Sequence, residues 1–442
     1  MKHFHCYSKK SITVFFVSVV CLSAVAEYLI CKCRYMWAYP VLMWMPAVSA
    51  VIASVVAIKE AGEPLSLKKL FSNMGFRFCK IRYVFAGILL PVVYLLIPYA
   101  IYWRMHPENF AYAGVPLLLI LKDCLPAGII GIFIGLLTAT GEEIGWRGFL
   151  VPALREKIGL NKTLLITGLF WCLWHFPLLI WGGYMEGGSL LYSLIAFVLC
   201  IFPVGVICGL LAIQSGSVWP CAFLHAAHNN YDQSILNIIT KGADKTYYVG
   251  ETGIFTIVCV WIIATILYIS FQKMLIKTKR LIITEFTPDM AQAVQENSVD
   301  EDNRRFVPDE VWETTEEAEE TLRFLISQYG SFDGPLVYPI ILKETKENIG
   351  YVQLCPMDNG NWEIGYHIAK KYTGNGYATE AVQAFLPVIA RQVNISEIYG
   401  ICLAENEASL AVMRKCGFEN LFTGIGLYQG AEREIVKNVW KA

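Results

Sequence analysis

Two adjacent glutamates and an arginine, Glu142, Glu143 and Arg147, stand in GEEIGWRGFL directly after the apolar run CLPAGIIGIFIGLLTAT. Further along, His175 interrupts FWCLWHFP, and His225, His228 and Asn229 interrupt FLHAAHNN. Ionisable side chains in segments this apolar are costly, and are kept where they bind, carry protons or catalyse. On a helix Glu143 and Arg147, four residues apart, can pair on one face. Glu142 is turned about 100° away and lacks that partner. The spacing therefore divides the labour: Glu143 with Arg147 holds the site, and Glu142 is left for chemistry. His225 and Asn229 are also four apart, so they offer an imidazole and an amide to one space.

An unpaired carboxylate in apolar surroundings can serve as a general base. With His175 it could hold and deprotonate a water, while His225 and Asn229 could donate to the oxyanion formed on an attacked peptide carbonyl. Glu142, His175 and His225 also offer a carboxylate and two imidazoles, so a divalent metal is possible at the same place. His228, three residues from His225, is either a supporting partner or purely structural. A lone membrane histidine is more often a hydrogen-bond partner than a catalyst, whereas the whole constellation points to function. A proton-coupled transporter would also use buried Glu and His, but the sequence has no paired halves with matching broken helices.

The elements that position these residues follow from composition. The chain has 442 residues, 55% of them hydrophobic. The first ~270 hold long apolar runs and the last ~160 are mixed, which reads as a membrane domain followed by a soluble one. A net charge of -1, with no basic stripe, excludes nucleic acid as an expected partner. The 14 cysteines are scattered and show no paired zinc spacing, so no disulfide framework is expected. About eight spans are predicted, near 11–31, 36–58, 83–103, 116–140, 163–181, 189–213, 217–239 and 252–272. The N-terminus (Lys2, Lys9, Lys10), the 59–82 loop, the 147–162 loop and the segment after 272 carry about 17 Lys and Arg, against about five in the opposite loops. Both termini are therefore expected in the cytoplasm of a multi-pass cell-membrane protein. Ala24-x-Ala26 offers a signal-cleavage site, but apolar character continues to Ile30, which favours an uncleaved anchor.

The three polar clusters resemble, in order and spacing, the motifs Glu-Glu-x-x-x-Arg, Phe-x-x-x-His and His-x-x-x-Asn of the CPBP family, the type II CAAX prenyl protease and bacteriocin-processing group also called Abi. The resemblance covers about 80–240. Trp171 stands where the second motif has phenylalanine, which keeps an aromatic packer. The resemblance implies an intramembrane endopeptidase in which Glu142 activates water and Glu143, Arg147, His175, His225 and Asn229 complete the site. The family has been described both as metal-dependent and as a glutamate peptidase. Its eukaryotic members cut after a prenylated cysteine, and bacterial relatives are often linked to bacteriocin immunity; nothing in this sequence points to a prenyl substrate.

From about Leu281 short strands alternate with helices. Thr314-x-x-Glu317 opens an amphipathic helix running to Gly330. IGYVQLCP and NWEIGYHIA read as neighbouring strands joined by an Asp-Asn-Gly turn, and EIYGICL as another. Gly374 and Gly376, between a strand and a helix start, let backbone N–H groups approach a phosphate. The run GYHIAKKYTGNGYATEA resembles the coenzyme A motif of GNAT acetyltransferases, and AENEASLAVMRKCGFE their later helix; RLIITEF and RRFVPDEVWET look like the branch that holds the ribosomal-protein N-terminal acetyltransferases. The resemblance implies that Lys371, Tyr372, Thr373, Gly374, Asn375, Gly376, Tyr377 and Ala378 cradle the pyrophosphate of acetyl-CoA, with Asn406 and Ser409 on the pantetheine side. Lys371 replaces the usual Arg or Gln, and Met413 stands where many members place a tyrosine acid. Glu363 is a candidate base for the acceptor amine, or else a solvated strand carboxylate.

The expected architecture is an all-α polytopic bundle of about eight helices (1–272), a linker (273–280) and an α/β GNAT-like domain with a central mixed sheet (281–442). Expected partners are the lipid bilayer, a peptide or protein substrate and an amine acceptor. The different-class reading is a non-proteolytic transporter or immunity scaffold with an acetyl-CoA-binding tail.

Overall fold

Ser8 opens the first helix through a reciprocal cap: its hydroxyl accepts from the Ser11 N–H, and its own N–H donates to the Ser11 hydroxyl. The computed structural model describes residues 7–184, 188–329 and 334–442; Lys2 and Gly330 lie outside them. Helices α1 (Lys9–Cys31), α2 (Ala38–Glu60), α3 (Leu67–Asn73), α4 (Ile81–Met105), α5 (Leu117–Glu143), α6 (Val151–Trp174), α7 (Leu190–Ser215), α8 (Trp219–Asn229) and α9 (Ile254–Gln272) follow. Among the described residues six segments are long and apolar enough to cross a bilayer, and the longest, Leu117–Gly182, carries both α5 and α6. With α8 and the turn that extends it, the helices account for about eight passes. Leu125, Ile129, Phe133 and Leu137 of α5 are exposed, as a lipid-facing stripe must be. The first span is bound into the bundle, since Trp174 Nε1 donates to Ser23 Oγ at 2.8 Å.

The stretch 147–162, expected as a loop, is instead largely helical. Ile144–Leu150 winds as a π-helical turn, α6 continues from it, and the break comes at Gly159, with φ +74°. Its cationic residues suggested a loop, but Arg147 and Arg155 are buried. Glycine permits the continuation: a Cβ on Gly145 would strike the Pro46 backbone, and one on Gly148 the Met74 carbonyl. The turn thus packs backbone to backbone on α2 and the end of α3. Two further π-helical turns occupy Leu178–Gly182 and Asn230–Leu236. The three turns follow closely after Glu143, His175 and Asn229, and such widened turns commonly mark functional sites.

The chain divides into two compact units, Met1–Tyr268 and Ile269–Ala442. In the second, β1 (Ile276–Lys277), β2 (Leu281–Ile283), β3 (Leu336–Leu342), β4 (Asn348–Pro356), β5 (Trp362–Ile368), β6 (Glu397–Leu403), β7 (Glu419–Tyr428) and β8 (Ala431–Lys441) form one sheet of order β1-β2-β3-β4-β5-β6-β8-β7. Neighbours are antiparallel except β5 and β6, which pair in parallel at Glu363↔Tyr399. Helices α10 (Ala291–Ser298), α11 (Glu301–Phe306), α12 (Thr315–Gln328), α13 (Tyr377–Val393) and α14 (Glu407–Lys415) complete the unit. The Thr314–Glu317 capping box forms as expected. Ala381, Val382, Phe385 and Ile389 bury one face of α13 in the unit's core, Phe385 against Tyr338.

Candidate functional sites

In the membrane unit Glu142 and Glu143 end α5, both buried. Arg147 Nη1 donates to Glu143 Oε1 at 2.9 Å, and its guanidinium carbon lies 4.1 Å from the Trp171 ring centre. His225 Nδ1 lies 2.9 Å from the same glutamate oxygen. Glu143 therefore joins two motifs; it is not only the partner of Arg147. Glu142 is not left bare either, because Trp171 Nε1 donates to its Oε2 at 2.8 Å. The Trp171 carbonyl accepts from His175 Nδ1 at 2.8 Å. Trp171 is thus a hydrogen-bond donor to the candidate base as well as a packer, and phenylalanine could not take that role.

A carbonyl only accepts, so His175 carries its proton on Nδ1 and presents a lone pair at Nε2. Among the described residues no protein group hydrogen-bonds Nε2 of His175 or of His225. Both rings line a cavity of about 170 Å³ together with Glu142, Trp171 and Asn229. That volume has room for several waters. Glu143 and Arg147 do not line it. His228 does, with Nδ1 3.0 Å from the Tyr94 hydroxyl and Nε2 3.2 Å from Glu251 Oε1. Glu251, which also lines the cavity, escapes the sequence reading: it lies in the loop before α9, with no helical spacing to tie it to His228.

Among the described residues no three His, Cys, Asp or Glu side chains gather closely enough to hold a metal ion. Glu142 Oε2 is already engaged by Trp171. No step below runs through a metal.

In the second unit Lys371 to Ala378 join β5 to α13. Gly374 (φ +80°) and Gly376 (φ +75°) take left-handed conformations that favour glycine. Gly376 caps α13 without a side-chain hydrogen bond, which leaves the first-turn N–H groups to a ligand. Asn375 Nδ2 donates to the Tyr372 and Thr373 carbonyls at 3.1 and 3.2 Å, and Thr373 Oγ1 to the Lys370 carbonyl at 2.9 Å. These side chains shape the loop, while the Lys371 ammonium lies 4.9 Å from the Tyr372 ring centre.

Asn406 caps α14, its Oδ1 accepting from the Ser409 N–H at 3.0 Å, and Ser409 Oγ lies 2.8 Å from the Tyr366 hydroxyl. Both residues thus have structural partners. Met413 is buried, its sulfur 3.5 Å from Asn438 Nδ2. Glu363 sits where β5 and β6 pair. Burial pushes its carboxyl up to about 7, with the Ile401 N–H and Lys437 acting in the opposite sense. Sequence reasoning missed Arg280, which donates to the Asn375 carbonyl of the loop, and Glu380, which holds Arg280.

Residues 125–231 match the family model described as type II CAAX prenyl endopeptidase Rce1-like, and residues 280–419 that of the acetyltransferase (GNAT) domain. CAAX prenyl protease 2 of Methanococcus maripaludis is 27% identical over 271 residues, 59% of this chain and 94% of that protein. The uncharacterized N-acetyltransferase YnaD of Bacillus subtilis is 34% identical over 143 residues, 32% of this chain and 81% of its own length. A solved GNAT-family acetyltransferase from Bacillus anthracis is 25% identical and aligns over 38% of this chain and 98% of its own, with a TM-score of 0.33.

Proposed function

We propose, for a chain that belongs through its membrane unit to the Rce1-like CAAX endopeptidases and through its C-terminal unit to the GNAT acetyltransferases, two separate reactions at the two sites described above. Both families are enzymes. The observation that carries the first reaction is that Glu142, His175, His225 and Asn229 line one cavity from which Glu143 and Arg147 are absent. Glu142 takes a proton from a water that His175 Nε2 helps to hold, and the hydroxide attacks a peptide carbonyl. Asn229, and His225 when its ring is doubly protonated beside Glu143, donate to the oxyanion. The oxyanion collapses, the C–N bond breaks, and the proton on Glu142 passes to the leaving amine. The substrate is a peptide or protein segment that enters the membrane; processing of a bacteriocin-type peptide is the bacterial use the resemblance implies.

In the second reaction the glycine loop and the uncapped start of α13 receive the phosphates of acetyl-CoA. Beyond Glu363↔Tyr399 strands β5 and β6 form no further ladder, so the free edge of β5 can pair with the amides of the pantetheine arm. Glu363 takes the proton of the acceptor amine, the amine attacks the thioester carbonyl, and the C–S bond breaks as the thiolate leaves. Met413 has no proton to give, so the thiolate is protonated from solvent. With both termini cytoplasmic, this unit meets acetyl-CoA in the compartment that supplies it.

The test of the first reaction is substrate trapping in native membranes. A Glu142→Gln protein that keeps its thermal stability should accumulate an uncleaved peptide that the wild type removes. An unchanged membrane peptide profile would sink the reading. For the second, calorimetry of the full-length protein should show acetyl-CoA binding that Gly376→Val abolishes.

A further inference from the structure

The segment that opens the second unit is not a free linker. Eight residues after Gln272, Arg280 closes on the cofactor loop. Its Nη1 donates to the Asn375 carbonyl at 3.0 Å, and its guanidinium carbon lies 4.5 Å from the Tyr377 ring centre. Its Nε donates to Glu380 Oε2 at 2.7 Å, and its backbone N–H to Glu380 Oε1 at 2.9 Å. Thr278 Oγ1 donates to the same Oε1 at 2.6 Å. One carboxylate thus receives three donors from residues 278 and 280. The turn itself is fixed by β1 pairing with β2 and by Leu281 N–H on Thr278 Oγ1.

Glu380 explains why such a grip is needed. It lies in the first turn of α13, the helix whose start faces the phosphate loop. A carboxylate there interacts well with the helix dipole but repels a phosphate arriving at the same place. Burial alone would raise its carboxyl, yet the Thr278 and Arg280 donors hold it below the usual carboxylate range, so it is an anion at neutral pH. Arg280 neutralises that anion and pins the loop by the Asn375 carbonyl at once.

We propose that Arg280 and Thr278 are positioning residues for acetyl-CoA: the segment that opens the second unit is a strap whose seating on Glu380 and Asn375 sets cofactor affinity. The inference rests on the reading of 371–378 as the cofactor loop. By linkage, acetyl-CoA then steadies the strap as much as the strap steadies the cofactor.

The experiment is calorimetric titration of the full-length protein in lipid nanodiscs with acetyl-CoA. Arg280→Met should weaken binding about tenfold, the loss expected for a charge-assisted contact. Adding Glu380→Gln to Arg280→Met should restore the part of the affinity lost to the unneutralised anion, while the part lost with the Asn375 contact stays lost; a strap that mattered only for folding would show no such partial rescue. Arg280→Lys should recover part, because an ammonium keeps the charge but not the fork. Hydrogen exchange at residues 276–283 should slow when acetyl-CoA is added to the wild type, and not in Arg280→Met. Arg280→Met binding within about twofold of wild type, or a double variant as weak as the single one, overturns the strap. A wild type that binds no acetyl-CoA overturns the cofactor-loop reading first, and the strap with it.

Discussion

Glu142 and Glu143 are chain neighbours with different partners, and their substitutions should part company. Glu142→Gln keeps an acceptor for the Trp171 N–H but no base, so cleavage should fall at least about 100-fold with the melting temperature close to wild type. Glu143→Gln leaves Arg147 buried without its counter-ion, which costs about 3–5 kcal/mol and should show as a lowered melting temperature in detergent. If the two variants behave alike in paired melting and cleavage measurements, the division between them is wrong. Trp171→Phe restores the family's residue but deletes one N–H. It should lower kcat about tenfold while leaving KM alone, because the donor positions the base rather than the substrate. As the proposed base, Glu363 should carry the pH dependence of acetyl transfer. The base is the ionised form, and its carboxyl is pushed up to about 7, so kcat/KM should rise with pH through that value. Glu363→Gln should flatten the profile.

At the scale of elements, the reading succeeds where the signal is local and fails where it is tertiary. The Thr314–Glu317 box, the β4–β5 hairpin and strand β6 are each written within a few residues. The Glu143–Arg147 pair is legible for the same reason, being four residues apart. Trp171 is 29 residues from Glu142 and Arg280 100 from Glu380, and no periodicity reports such distances. The helical 144–158 stretch was hidden because buried cations read as surface ones. Its glycines are what the packing requires. Gly145→Val would drive a branched side chain into the Pro46 backbone, whose nearest carbonyl atoms lie 2.7 Å from where its Cβ would sit. The segment can shift only by moving Glu143 and Arg147 with it. A loss of about 1–3 kcal/mol is expected, measured as a lowered melting temperature, together with loss of cleavage.

Across the whole membrane unit, alternation of the helices defines two ends. Tyr7 on the Asn73 carbonyl, Val218 N–H on the Gly75 carbonyl and Ser217 on the Arg77 carbonyl gather the start of α1, the 59–82 loop and the α7–α8 turn at one end. Tyr39 on the Gly182 carbonyl, Arg34 on the Trp181 carbonyl and Ala111 N–H on the Ile239 carbonyl mark the other. Lys9, Lys10, Lys59, Lys68, Lys69, Arg77, Lys80 and Arg82 belong to the first end, which the charge rule assigns to the cytoplasm. Helix α9 runs back to that end, so the chain leaves the bundle there. The cavity has a direction as well: Glu142, His175 and His225 on its floor are buried, whereas Tyr39 and Tyr184 are half-buried and Gln233 is exposed, near the second end. A substrate would then enter the peptidase site from the second end of the bundle. In a background freed of native cysteines, Gln233→Cys should react with a membrane-impermeant maleimide in intact cells, and Lys68→Cys only after permeabilisation. The reverse pattern would invert the orientation; equal labelling of the two would deny that the charge asymmetry orients this chain at all.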